Sequence, residues 1–358
     1  MNIRDVAKKA RVSTATVSRV MSGIDVVKPE TADRVRKAID ALSYVPNLSA
    51  RTLSKGRSHL FGIVISDITN PFFPDLIYTF NELAEQHLYR TVIANTNYSP
   101  ARMEQCIRGL IEQKVEGIAI MTSEMSPNSL RMAADRGIPM ALLSEAVESK
   151  NLTNIVVDYK SGMEQAIDHI ISLGHKRIAF IGGPQNLRSA ALRQSIFLRA
   201  LRERGIKLEK DRLIPGNHRV DGGYAAMRQL LQQNPRPTAV LASNDLTAIG
   251  AITAIYEAGL SVPRDISVVG FDDIEISSAF NPALTTVRLS RVEIATHAFF
   301  ALYLANNGPA GGKGGRKSSR NVQHTVSTEL IVRKSTAPPS DAATVPARKR
   351  RAKTVRAD

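Results

Sequence analysis

Between residues 60 and 305 one pattern repeats: a short, continuous apolar run, then a stretch with apolar residues at helical spacing. The apolar runs fall at 60–65, 91–94, 117–121, 140–143, 154–157, 177–181, 239–242 and 267–271. The helical stretches fall at 75–88, 102–113, 129–136, 162–173, 191–204, 222–233, 246–258 and 291–305. Strands without polar alternation are buried on both faces, and such strands belong to parallel sheets covered by helices on each side. The series is long enough for two doubly wound units, with chain crossovers expected near 158–162, 284–290 and 308–322. In open sheets of this kind ligands bind beyond the carboxyl ends of the strands, so two facing units form an interlobe cleft.

Composition narrows the class. The chain is 43% apolar, as globular proteins are, and no run approaches the ~18–20 apolar residues of a membrane span. Met1-Asn2-Ile3-Arg4-Asp5 carries an acidic residue and no signal-peptide core. A single cysteine, Cys106, excludes an intramolecular disulfide framework and reads as a small apolar side chain in a helix. These features together point to the cytoplasm. The seven histidines show no metal-ligand spacing, and 311–318 lacks the glycine–lysine–hydroxyl ending of a phosphate loop. No catalytic residue, metal or cofactor is therefore expected. A free solute-binding protein fits the body alone, but not the segment that precedes it.

The net charge of +15 is unevenly spread. Residues 1–58 hold 12 Lys/Arg against 5 Asp/Glu, residues 59–307 hold 24 against 25, and residues 308–358 hold 12 against 3. A near-neutral body with basic ends is the footprint of a polyanion partner at the ends, and nucleic acid is the usual one.

The first 46 residues read as a three-helix unit. Val6, Ala7 and Ala10 share one side of a short helix, Val12 fills a corner, and Ser13 is a natural N-cap for a helix from Thr14 to about Met21. That second helix turns Val17 and Val20 inward and Thr14, Ala15, Ser18 and Arg19 outward. A third amphipathic helix, 29–42, closes the core with Val35, Ile39 and Leu42. Two helices joined by so tight a turn form a helix-turn-helix, whose second helix enters the DNA major groove.

Ile3-Arg4-Asp5-Val6-Ala7, Val12-Ser13-Thr14-Ala15-Thr16-Val17-Ser18-Arg19-Val20, Tyr44-Val45-Pro46-Asn47 and Ala50-Arg51-Thr52-Leu53 follow in order. This series closely resembles the lactose-repressor/galactose-repressor family. The resemblance implies that Thr14, Ala15 and Arg19 read base edges, Arg19 through a bidentate contact to guanine and Ala15 by apolar contact alone. It implies that Ser13, Thr16 and Ser18 hold phosphates; local capping is compatible with that role at Ser13, whereas back-bonding to the helix competes with it at Ser18. Arg11 occupies a turn position where the family often has glycine or a small residue. Residues 47–58 match a hinge helix and linker, in which Asn47 caps, Ala50 packs and Leu53 wedges between base steps in the minor groove.

For the body the resemblance implies a periplasmic-binding-protein-like domain over 59–337. Strand-end reasoning selects Ser66-Asp67, Asn70-Pro71-Phe72-Phe73, Ser144-Glu145, Asp158, Asn244-Asp245 and Asp272-Asp273, with Arg193 at the opening of a helix. The resemblance makes Phe72, Phe73, Ser144, Glu145, Arg193, His218, Asn244 and Asp272 effector contacts. Asp158 reads better as a helix N-cap. The expected protein is a homodimeric regulator, most readily a repressor, that binds a pseudo-palindromic double-stranded operator. A small-molecule effector, a sugar or sugar derivative first and a nucleobase second, sets its affinity. Residues 308–320 read as an excursion before a final strand in 324–333. Residues 338–358 read as a basic disordered tail, either adding salt-sensitive DNA affinity or inert, with no leucine heptads for tetramerisation.

Overall fold

The computed structural model describes residues 2–21, 26–44, 57–122, 127–143, 147, 151–308 and 322–340. The chain divides into two units, Met1–His59 and Leu60–Asp358. The expected hinge helix, the 308–320 excursion beyond Gly308 and the tail beyond Ser340 lie outside the described residues.

The first unit holds three helices: α1 (Ile3–Ala10), α2 (Thr14–Met21) and α3 (Pro29–Ala41). Helix α1 begins earlier than its apolar spacing suggests because Asn2 and Asp5 form a reciprocal capping box at its N-terminus. It ends at Arg11, which adopts φ 55° and donates its N–H to the Ala7 and Lys8 carbonyls. Arginine thus takes the left-handed turn that glycine would enter without steric cost. The Ser13 hydroxyl accepts from the Thr16 N–H at 3.2 Å, as an N-cap should. Val6, Ala7, Ala10, Val17, Val35 and Ala38 are buried in the core, with Val20, Ile39 and Leu42 packed around them.

The second unit is two α/β lobes. Lobe 1 contains β1 (Leu60–Ile65), α4 (Phe72–Gln86), β2 (Arg90–Asn95), α5 (Pro100–Glu112), β3 (Gly117–Met121), α6 (Pro127–Ala134), β4 (Met140–Leu143) and β5 (Leu152–Asp158). Lobe 2 contains α7 (Tyr159–Ser172), β6 (Ile178–Ile181), α8 (Arg188–Glu203), β7 (Leu213–Ile214), α9 (Val220–Leu230), β8 (Ala239–Ala242), α10 (Asp245–Glu257), β9 (Ser267–Asp272), α11 (Glu275–Ala279) and β10 (Thr285–Leu289). Helix α12 (Arg291–Asn307) returns to lobe 1, packing on α4 and strands β3 to β5. Strand β11 (Val322–Ile331) completes the unit.

Strand order is β2-β1-β3-β4-β5 in lobe 1 and β7-β6-β8-β9-β10 in lobe 2, and all pairs within each lobe are parallel. The two orders are the same doubly wound topology. Each reverses direction beside its first strand, which is where ligands of such sheets bind. Strand β11 belongs to both lobes: Val322–Ser327 runs parallel to β5, and Thr328–Ile331 runs antiparallel to β10.

Three crossovers follow among the described residues: after Asp158, after Leu289 and between Ser327 and Thr328. The first lies within 158–162 and the second at the end of 284–290. The third does not fall in 308–322, because α12 and the first half of β11 both belong to lobe 1 and the crossing occurs inside the strand. At this junction the Thr328 hydroxyl donates to the Asp158 carbonyl at 2.6 Å and accepts from the Gly162 N–H at 2.9 Å. A Cβ on Gly162 would stand 2.3 Å from the Val287 side chain and 2.6 Å from that hydroxyl, so only glycine lets α7 approach so closely.

An aromatic core anchors lobe 1, with Phe61 stacked on Tyr89 at 4.1 Å and edge-on to Phe80 and Phe299. In lobe 2, Phe180 stacks on Phe197 at 4.6 Å. Helices α9 and α10 meet backbone to backbone through Gly223 and Gly250: an added Cβ would lie 2.1 Å from the Thr247 carbonyl oxygen or 2.0 Å from that of Val220. No helix among the described residues is long and apolar enough to cross a membrane.

Candidate functional site

The reversal points of the two sheets face one another across a cavity of about 290 Å³. Lobe 1 contributes Ser66 and Thr122 from the ends of β1 and β3, with Asn70, Phe72, Phe73, Leu143 and Val157 around them. Lobe 2 contributes Arg193, His218, Asn244 and Asp272. Six expected effector contacts, Phe72, Phe73, Arg193, His218, Asn244 and Asp272, therefore line one space although 200 residues separate the first from the last. Ser144 and Glu145 lie outside the described residues.

Phe72 and Phe73 are not in a loop after β1 but in the first turn of α4, where the Asn70 side chain accepts from the Phe72 N–H. Their rings pack edge to face at 5.3 Å and are 6% and 7% exposed, so both are cavity wall and core together. On this side Ser66 donates its hydroxyl hydrogen to Thr122 at 2.7 Å. No described lobe 1 residue lining the cavity carries a carboxylate, an imidazole or a cationic side chain, and Tyr98 adds a phenol.

The opposite wall carries the charge. Arg193 sits in the second turn of α8 rather than at its opening, because the helix begins at Arg188 without a side-chain cap to announce it. Its guanidinium donates to the Ser243 carbonyl at 2.6 Å and to Asp272 Oδ1 at 3.3 Å. The same group lies over the Phe271 and Tyr159 rings, at 4.3 and 5.0 Å from their centroids, a cation–π arrangement that is strongest when desolvated. Its Nε is buried without a hydrogen-bond partner.

Asp272 ends β9 with φ 109°, a strained conformation for a residue with a Cβ. Burial pushes its carboxyl up to about 6, against the pull of Arg193 and Arg291. The neighbouring Asp245 carboxyl is pushed up to about 7 by burial and by the Asp272 charge. Asp245 accepts from Thr286, Ser277 and the Ile274 N–H, which makes it an internal brace of lobe 2 rather than a cavity residue.

His218 lies at φ 61°, and burial lowers its imidazole pKa to about 3, with the Arg193 charge acting in the same direction. The ring fits only because Gly183 has no side chain: a Cβ there would stand 2.0 Å from Nε2. Asn244 caps α10, its Oδ1 accepting from the Thr247 N–H and hydroxyl, while its Nδ2 donates to the His218 carbonyl at 3.0 Å. Most of its hydrogen-bonding capacity is thus spent on the protein. Asp158 caps α7 through Lys160 and Ser161, as its sequence position suggests.

Sequence reasoning missed Tyr159, which shelves Arg193, and Arg219. The Arg219 guanidinium reaches Asp67 Oδ2 at 2.7 Å and Asn97 Oδ1 at 3.3 Å. No local motif signals a pairing across 152 residues.

In the first unit Thr14, Ala15 and Arg19 are exposed on one side of α2, opposite buried Val17. Ser13 and Thr16 share a hydroxyl–hydroxyl hydrogen bond of 3.0 Å, and Ser18 is half-buried. Asn47, Ala50 and Leu53 lie outside the described residues.

Residues 2–47 match the family profile described as bacterial regulatory proteins, lacI family, and residues 167–336 match a periplasmic binding protein-like domain. The chain is 33% identical to the HTH-type transcriptional repressor PurR of Histophilus somni (strain 129Pt), over 93% of this chain and 98% of that protein. Its fold resembles the lac repressor dimer bound to operator and the anti-inducer ONPF, with TM-score 0.80 and 27% identity over 94% and 99% of the two chains. It also resembles a LacI family transcriptional regulator from Enterococcus faecium with bound ribose, with TM-score 0.68 and 27% identity over 78% and 100%. Helical head, two-lobed body and near-full-length similarity to a repressor lead to one conclusion: the chain belongs to the lacI family of bacterial regulatory proteins and is a DNA-binding transcriptional regulator.

Proposed function

We propose that this regulator is a cytoplasmic, homodimeric repressor of a pseudo-palindromic operator whose affinity is set by an uncharged monosaccharide or sugar derivative in the interlobe cavity. The carrying observation is the balance of charge in that cavity. Among the buried lining groups Arg193 is offset by Asp272 and His218 is neutral, the described lobe 1 wall holds no carboxylate, imidazole or cationic side chain, and Arg188, the other charged residue on the lining, is exposed. A ligand with its own charge would find no unpaired counter-charge among the buried groups, and burying it would be costly. A polyol offers donors and acceptors to Asp272 and Arg193 on one edge and a C–H face to Phe72 and Phe73 on the other. A cavity near the lower end of the ~300–1,000 Å³ typical of ligand sites suits one ring better than two. The ribose complex of the Enterococcus faecium relative supports the same class.

At the head, Arg19 supplies the guanine contact, Thr14 and Ala15 the remaining base contacts, and Ser13, Thr16 and Ser18 the phosphate contacts. Lobe closure around the ligand alters head affinity through residues 47–58, with Asn47, Ala50 and Leu53 in the hinge roles. Ligand shifts this equilibrium by the difference between its affinities for the two lobe arrangements.

A thermal-shift panel of neutral pentoses and hexoses, their phosphates, and nucleobases tests the reading. A neutral sugar should raise the melting temperature and change the anisotropy of a labelled operator fragment selected from genomic DNA. A response confined to a sugar phosphate or a nucleobase would overturn the ligand class. Arg19→Ala should weaken specific far more than nonspecific DNA binding, and an equal loss on both would remove Arg19 from base reading.

A further inference from the structure

A further contact joins the two lobes apart from the Arg193–Asp272 wall. Arg219 stands at the N-terminus of α9 in lobe 2, and its two partners, Asp67 and Asn97, follow β1 and β2 in lobe 1. Asp67 is 3% exposed, and its Oδ1 is already held by the Thr69 N–H and hydroxyl. Its Oδ2 is what meets the guanidinium. Three hydrogen-bonding groups from separate segments thus converge across the interlobe gap, and they can do so only while the lobes are together.

Arg219 itself is not free to swing. The Asn217 side chain accepts its N–H at 3.0 Å, and the preceding carbonyl, that of His218, is held by Asn244. His218 lines the cavity, so the ligand wall and the bridge occupy consecutive residues of one tethered turn. We propose that Arg219, with Asp67 and Asn97, is a latch holding the two lobes closed, in series with the cavity residue His218.

The latch suits reversible use. The Arg219 side chain is 48% exposed, so salt and water compete for it, while Asp67 stays fixed by its turn. A ligand that repositions His218 moves the next residue, and the bridge with it. This inference rests on the two-lobed geometry and not on the ligand class.

The test uses the full chain with Cys106→Ser and spin labels at Ala101 and Gln185, exposed positions on lobes 1 and 2. Arg219→Gln and Asp67→Asn should each lengthen and broaden the interlobe distance distribution, and the double variant should go no further than either single. High salt should move the wild type the same way and leave the variants where they are. Gly183→Ala, which drives a methyl into the His218 ring, should also lengthen the distance, as a series arrangement requires. A distribution unchanged by Arg219→Gln in a folded chain, or additive effects of the two latch substitutions, would overturn the latch. An unchanged distribution in folded Gly183→Ala would remove His218 from the series. Melting curves on every variant establish that the folded chain is being measured.

Discussion

The two lobes share one strand order yet meet their helices and their cavity in opposite ways. Lobe 1 offers aromatic rings and hydroxyls, whereas lobe 2 offers an ion pair laid over two rings. Lobe 1 packs its helices through side chains: a Cβ on Gly62 would meet the Leu110 side chain, at 2.7 Å. Lobe 2 packs α9 on α10 through backbone, where nothing can rotate aside. A common topology therefore fixes where a ligand can sit. The division of labour between the walls decides what it can be.

The largest test of that division is Arg193→Ala against Thr122→Val. Removing the guanidinium leaves Asp272 buried without its partner, a loss of about 3–5 kcal/mol, and should cost about 100-fold in affinity for the sugar that binds the wild type. Thr122→Val should change affinity by only a few-fold. Isothermal titration and urea unfolding measure both, and comparable losses would erase the asymmetry.

Next come the glycines. Gly223→Ala should destabilise the body by about 3 kcal/mol, because the methyl meets a carbonyl group, whereas Gly62→Ala should cost about 1 kcal/mol as Leu110 shifts. Equal shifts of the urea midpoint would mean that lobe 2 relaxes as readily as lobe 1.

His218 supplies a pH test. Its folded pKa of about 3 lies below the ordinary value of about 6.5. The stability it contributes is therefore complete above pH 6.5 and is lost as pH falls toward 3. Asp272 and Asp245 are raised, so their contribution is greatest at low pH and is lost as pH rises through about 6 and about 7. Comparison with His218→Asn isolates the imidazole, since asparagine accepts the positive φ and does not titrate. Between pH 7 and pH 5 the wild type should lose about 2 kcal/mol more than the variant. Parallel melting curves across that range would show that the ring is not buried neutral.

The smallest single effect belongs to a cap. Asn244→Ala removes both the α10 cap and the tether on His218 and should cost about 2 kcal/mol, whereas Ser99→Ala at α5, with its 3.4 Å contact, should cost about 0.5 kcal/mol. The pair is read by denaturant midpoint.

What could be read from residues alone tracks how local its cause is. Strands β1, β3, β8 and β9 announce themselves because parallel strands buried on both faces admit only apolar side chains. Strand β7 is two residues long, and β10 reads Thr-Thr-Val-Arg-Leu because its polar side chains serve Asp245 and Asp273, so neither stands out. The helix-turn-helix is legible from Ser13 and the inward valines, but its contact roles came from the ordered family series. At the cavity, strand-end logic located Asn244, Asp272 and Arg193, while His218 came from the family resemblance alone. Arg219 escaped both, because its partners are brought to it only by the closed tertiary structure.

Strand β11 has a consequence for how the body comes apart. Its first half is hydrogen-bonded into one lobe and its second half into the other, and the Thr328 hydroxyl ties the seam to Asp158 and Gly162. Neither half can melt without stripping a strand from its neighbour. The body should therefore lose structure in a single transition, and amide protons on both sides of residue 327 should exchange with the same free energy of opening.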